Sequence, residues 1–301
     1  MSTRLNIRYQ HWALGSTFLL VVLLCGVFLV TVFRAFSQIA QDNAATRLDL
    51  LVERAGAEID VLMRGNARFI AAQVSAKPHR IISWDAPLES QAPMQALIGD
   101  LAAHSELYAH YIGFANEAFV QVIGVRGQPA LMGALDAPPN THFALRNIRP
   151  RGGATRLEQW TFLDRQRNPI ARQTRPTPYR PTTRPWYAEA QRAHGLVVTD
   201  PYHFASTGRP GITLAAPLDD RTAVFGSDLA LDALRDFLRG LPLPKHGTLA
   251  IVDRQGRLLA WHGQGAAPEV PPLTRLADIH GQAARLLATV SGRQPAAARQ
   301  Y

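Results

Sequence analysis

The chain has a single cysteine, Cys25, and it lies inside an apolar run. That excludes an intramolecular disulfide and a Cys/His metal cluster, so an exported domain made from this chain rests on its hydrophobic core. Lysine is almost missing as well: of 32 basic residues only Lys77 and Lys245 are not arginine. Acidic residues number 23, which leaves a net charge of +9. There is no GxSxG, HExxH, Walker A or GxGxxG pattern, so the signatures of common hydrolases, zinc proteases, P-loop enzymes and dinucleotide-binding folds are absent. The ten histidines are scattered at no ligand-like spacing. No cofactor is implied.

What is present begins with an uncharged run from Trp12 to Phe33. As a helix at ~1.5 Å per residue it spans about 33 Å, enough to cross a ~30 Å hydrocarbon core. Arg4 and Arg8 precede it, which places residues 1–11 in the cytoplasm and the bulk of the chain outside the inner membrane, in the periplasm. A cleaved signal peptide is the rival reading; its apolar region is usually shorter, and no clean small-x-small cleavage site follows. Residues 34–75 contain no proline, and Leu48, Leu51, Ala55, Ile59, Leu62, Asn66 and Phe69 recur at steps of three and four. This predicts a long membrane-emergent helix, either packed on its own domain or also forming a parallel homodimer; the two are compatible.

Lys77-Pro78 ends that helix, and Met94, Leu97, Ile98 and Leu101 mark a shorter amphipathic one. From Tyr108 the period changes. Alternation predicts strands over Ala118–Val125, Phe143–Ile148 and Leu157–Leu163, with turns at 137–140 and 151–153. A helix is expected over Pro185–His194, with proline in its first turn and Gly195 as its C-terminal cap. Strands Gly211–Pro217 and Thr222–Asp228 and a helix Leu231–Leu241 follow. After the linker at 241–245, Gly247–Trp261 reads as strand, turn, strand. The order implies an α+β fold, with a ligand-binding module over 80–241 and a partial second module over 245–301 that stops short of a longer architecture.

The segment Tyr179–Asp228 concentrates the chemistry. Arg184 offers a planar fork for a carboxylate; alone, a surface arginine is the commoner case. Trp186 and Tyr187 sit about 100° apart on a short helix, so one can face a ligand while the other packs in the core. Asp228 ends a strand, where it is either a helix cap or an ammonium ligand. Buried, it needs a cation. His203 and Ser206 suggest a hydrolase only weakly. The arginine-rich stretch from Arg146 to Arg192 superficially suits nucleic acid, but it lies on the wrong side of the membrane, and no nucleic-acid partner is expected.

Tyr179, Arg184, Trp186 and Tyr187, together with TDPY at 199–202, GITLAAP at 211–217 and GSDLALDAL at 226–234, resemble the double-Cache sensor domains of bacterial transmembrane receptors over about residues 34–262. The resemblance implies two stacked PAS-like modules on one long helix, with the ligand in the membrane-distal module. It implies that Tyr179, Arg184 and Trp186 meet an amino-acid carboxylate and that Tyr187 and Asp228 meet its amine, with Tyr202 lining the pocket. Phe204 departs from the pattern, standing where some members have a polar contact. The expectation is a small-molecule sensor for an amino acid-like ligand, without enzymatic activity in this chain. Its effector would be a cyclase, histidine kinase, phosphodiesterase or chemoreceptor output. A ligand-free membrane-anchored interaction domain and an anchored periplasmic hydrolase are the alternatives.

Overall fold

A 74-residue helix, α1 (Thr3–Ala76), opens the chain and is free of proline throughout. The computed structural model describes residues 3–150, 156–218, 221–243, 248–263 and 270–280, with side chains 3–19, 39–45 and 48 outside that description. The expected turn at 151–153, Lys245 of the linker, residues 281–301, and the side chains of Trp12–Leu19 and Leu48 therefore fall outside the described residues. The chain divides into two units, Met1–Ala57 and Glu58–Tyr301. In the first, Leu20–Gln38 has a mean hydropathy of 2.4, buries none of its residues, and is long and apolar enough to cross a membrane.

In the second unit, the end of α1 buries Met63, Asn66, Ile70 and Gln73, one face of the helix at steps of three and four. It stops at Ala76 because Lys77 turns left-handed (φ 52°) ahead of Pro78. Helix α2 (Ala92–Ala103) buries Met94, Leu97, Ile98 and Leu101, as the sequence pattern requires. Then come β1 (Leu107–Phe114), β2 (Phe119–Gly124), α3 (Pro129–Leu135), β3 (Phe143–Ile148), β4 (Leu157–Leu163) and β5 (Pro169–Pro176). Helix α4 (Pro185–Ala193), β6 (Val197–Val198), β7 (Tyr202–His203), β8 (Pro210–Pro217), β9 (Ala223–Ala230) and α5 (Leu231–Arg239) complete this part.

The strands form one sheet in the order β5-β4-β3-β2-β1-β9-β8-β6, with β7 also on β8, and every pairing is antiparallel. The fold is α+β, with helices on an antiparallel sheet as expected. The central strands β1 and β9 are buried along their whole length. Helix α2 packs on β1 and β2, and α4 on β8 and β9. A second, two-stranded sheet, β10 (Thr248–Val252) with β11 (Leu258–Gly263), lies against α5.

Two local expectations are corrected. Helix α4 ends one residue early, because His194 and not Gly195 adopts the left-handed cap (φ 61°). Asp228 does not cap α5: it sits inside β9, paired with Thr213, and the cap position belongs to Ala230.

Candidate ligand-binding site

Asp228 lies in the middle of the sheet and is 3% exposed. Its Oδ1 accepts hydrogen bonds from the Tyr111 hydroxyl at 2.7 Å and the Thr213 hydroxyl at 2.6 Å. The Thr213 oxygen meets the Tyr202 hydroxyl at 2.6 Å, so Tyr202, Thr213 and Tyr111 form a relay of donors that ends on one carboxyl oxygen. No donor reaches Oδ2 among the described residues. Burial pushes the Asp228 carboxyl up from 3.8 to about 7, against the opposing pull of the two hydroxyl bonds and the Arg184 charge. Burial also raises the Tyr111, Tyr179 and Tyr202 phenols, which stay neutral hydrogen-bonding groups.

Arg184 approaches the same cavity from the first residue before α4, where a turn over Pro181–Thr183 delivers it in extended backbone. Its guanidinium lies 6.0 Å from the centre of the Tyr179 ring and makes no hydrogen bond or ion pair among the described residues. Arginine and aspartate thus share one space without clasping each other. Trp186, Tyr111 and Phe204 wall it: the Trp186 and Tyr111 rings are 4.8 Å apart, and Phe204 meets Tyr202 edge-on at 5.5 Å. The cavity volume is about 20 Å³, room for roughly one water, and it is open on its outer side. That is far under the ~300–1,000 Å³ typical of ligand pockets, so a ligand larger than water requires these walls to part.

Of the six residues singled out by sequence, Tyr179, Arg184, Trp186, Tyr202 and Asp228 line this cavity. Tyr187 does not. It is buried in the core beneath α4, its ring edge-on to Trp186 at 5.6 Å. The hydrolase pairing does not form either. The Ser206 hydroxyl meets Tyr108 at 2.9 Å, and no hydrogen bond joins it to His203.

The structure adds wall residues that sequence reasoning did not single out: Tyr111, Gln121 and Arg146, with Thr213 behind them. Gln121 is 5% exposed, and its Oε1 has no partner. A buried acceptor left unpaired is costly, so this wall is suited to a ligand that brings a donor. Arg146 is already spoken for: its Nε donates to Glu158 at 2.8 Å, and its guanidinium stacks 4.4 Å from the Tyr179 ring. Burial alone would raise the Glu158 carboxyl, but the Arg146 charge and bonds from Trp160, Arg175 and Arg146 hold it below the usual range. The available signal was a polar residue interrupting an apolar strand, as Gln121, Arg146 and Thr213 each do.

No family model matches the chain. The chain is similar to bacterial chemotaxis receptors. It is 36% identical over 88 residues to the methyl-accepting chemotaxis protein PscA of Pseudomonas syringae, covering 28% of this chain and 14% of that protein. It is 27% identical over 220 residues to adenylate cyclase 1 of Rhizobium meliloti, covering 72% of this chain and 32% of the cyclase. The chain thus spans less than a third of the length of these curated relatives. Among solved structures it overlays loosely on the ligand-binding domain of the Pseudomonas fluorescens chemoreceptor CtaA in complex with L-isoleucine. The TM-score is 0.41 and the identity 19%, with 73% of this chain and 69% of that one covered.

Proposed function

We propose that this chain is the extracytoplasmic sensor of a transmembrane signal transducer and that its ligand is a small amine-carboxylate, an amino acid or close relative. One observation carries the reading: an unpaired arginine and a buried aspartate with an unengaged oxygen share a small aromatic cavity. The ligand carboxylate meets Arg184, flanked by Tyr179 and Trp186. The ammonium meets Asp228 Oδ2, with the Gln121 carbonyl as a further acceptor. Similarity both to a chemotaxis protein and to a cyclase supports a sensor that serves different outputs. Leu20–Gln38 anchors it in the inner membrane with the sheet in the periplasm, and α1, as a homodimer, passes binding to a cytoplasmic effector. Signalling requires only that ligand favour one arrangement of α1 by ~1–3 kcal/mol.

The test is a thermal-shift screen of the full chain in a non-ionic detergent against the twenty amino acids. At about a hundredfold excess over Kd, a true ligand raises Tm by roughly 5–10 °C. Arg184→Ala removes a charge-assisted pair and weakens binding roughly ten- to a hundredfold. If no amino acid shifts the melt, or if Arg184→Ala responds as the parent does, the ligand-free interaction reading takes over.

A further inference from the structure

The amine-carboxylate cavity is not closed on its outer side. A second space of about 460 Å³ shares Arg146, Tyr179 and Arg184 with it and continues outward past Arg175 and Arg180. Its wall carries four guanidiniums and one carboxylate, Glu158. Glu158 is saturated, taking bonds from Arg146, Arg175 and the Trp160 indole. Arg175 reaches it only through Nε, at 2.6 Å, and its side chain is 40% exposed. Arg180 has only a distant ion pair, 4.0 Å from Glu117, and is 50% exposed. The Glu117 carboxylate oxygen it faces already accepts from the Thr182 hydroxyl at 2.6 Å. Positive charge therefore exceeds what the protein itself neutralises, and the excess lies where a bound amino acid's side chain would emerge.

The polarity of the two spaces is ordered. The inner wall offers a neutral-to-acidic end at Asp228 and the orphan Gln121 acceptor; Arg184 stands at the junction; the outer wall is cationic. A ligand whose amine points inward and whose carboxylate meets Arg184 must direct its side chain toward Arg175 and Arg180. From this geometry we infer that the ligand is an amino acid with an acidic side chain, its second carboxylate held by Arg175 and Arg180. This rests on the sensor reading above. Apolar ligands would leave the guanidiniums without a counter-charge, and basic ones would be repelled.

Titration calorimetry of the full chain in non-ionic detergent, with L-aspartate, L-glutamate and their amide isosteres L-asparagine and L-glutamine, tests the inference. Each half-exposed pair adds roughly a 1.5- to 5-fold preference, so at least one acid should bind about fivefold or more tightly than its amide. The preference should shrink in 0.5 M salt, because exposed pairs are screened. Arg180→Gln should lower it to about twofold, and Arg180→Glu should reverse it, with an unchanged melting temperature showing that the variants fold. An amide that binds as tightly as its acid, or a preference untouched by both Arg180 variants, overturns the inference while leaving an amino-acid sensor standing. Binding of no amino acid at all removes both. Succinate binding as well as L-aspartate would show that the amine is not gripped, which removes the sensor reading's ligand class.

Discussion

Asp228 decides much of how this molecule responds to pH. Its carboxyl titrates near 7 in the folded chain and near 3.8 when unfolded, so between these values the folded state holds a proton that the unfolded state has released. Stability therefore falls as pH rises from about 4 to 7, and the penalty is fully present above 7. Asp228→Asn keeps an oxygen for the Tyr111 and Thr213 hydroxyls but removes the charge. It should stabilise the chain by about 2–4 kcal/mol at pH 8, with the gain vanishing toward pH 4. Melts of parent and variant across that range check this; equal stability at pH 8 would refute it. A bound ammonium reverses the preference by favouring the ionised carboxylate. Affinity for an amine ligand should thus fall as pH drops below about 7, by up to about tenfold per unit, which calorimetry at pH 8 and pH 6 measures. At this scale the helix-borne part of the cavity wall was legible in the sequence, because Arg184 and Trp186 fall beside a proline-started helix. Tyr111, Gln121 and Arg146 were not. They come from strands whose burial and neighbours are set by pairings across the fold, and Tyr187, adjacent to Trp186, was assigned to a face that only packing could decide.

Among the elements, three neighbouring strands each contribute a glycine beneath one ring of the pocket. A Cβ at Gly113 in β1 would come within 2.5 Å of the Trp186 indole; one at Gly226 in β9 would run into Tyr111, and one at Gly211 in β8 into Phe204. The rings sit low because the sheet has no side chains there. Gly226→Ala should lift Tyr111 off its cross-strand partner, break its bond to Asp228 and weaken ligand binding about tenfold, with a stability cost of about 1–3 kcal/mol. Gly133→Ala in α3, where nothing lies within 4 Å, should leave both unchanged or add slightly to stability. Calorimetry and thermal melts of the pair give the contrast; parent-like binding by Gly226→Ala would refute the packing argument. Strands β3 and β4 were readable end to end because one face is apolar and the other mixed. β1 was not, although β2 and β9, buried as completely, were. β5 was missed because an edge strand bounded by prolines, half-exposed and arginine-bearing, reads as loop.

For the whole molecule, the sequence made a single apolar run and an α+β domain legible, while the extent of the nine-stranded sheet emerged only from long-range pairing. The proposed topology has a direct check. Cys25 lies in the apolar stretch of α1, so a cysteine introduced by Arg254→Cys, exposed in the turn between β10 and β11, should be the site that a membrane-impermeant maleimide labels from outside intact spheroplasts. Labelling only after lysis would invert the orientation. The central pair of strands carries a further consequence. Successive residues point to opposite faces. Tyr111 touches the cavity, whereas its neighbour His110 lies with its ring tilted 4.8 Å from Phe69 of α1, and Phe225, three positions before Asp228, meets the same phenylalanine at 6.2 Å. The partition between cavity and helix is thus a single backbone thick, so a tilt of that wall would register on both sides at once.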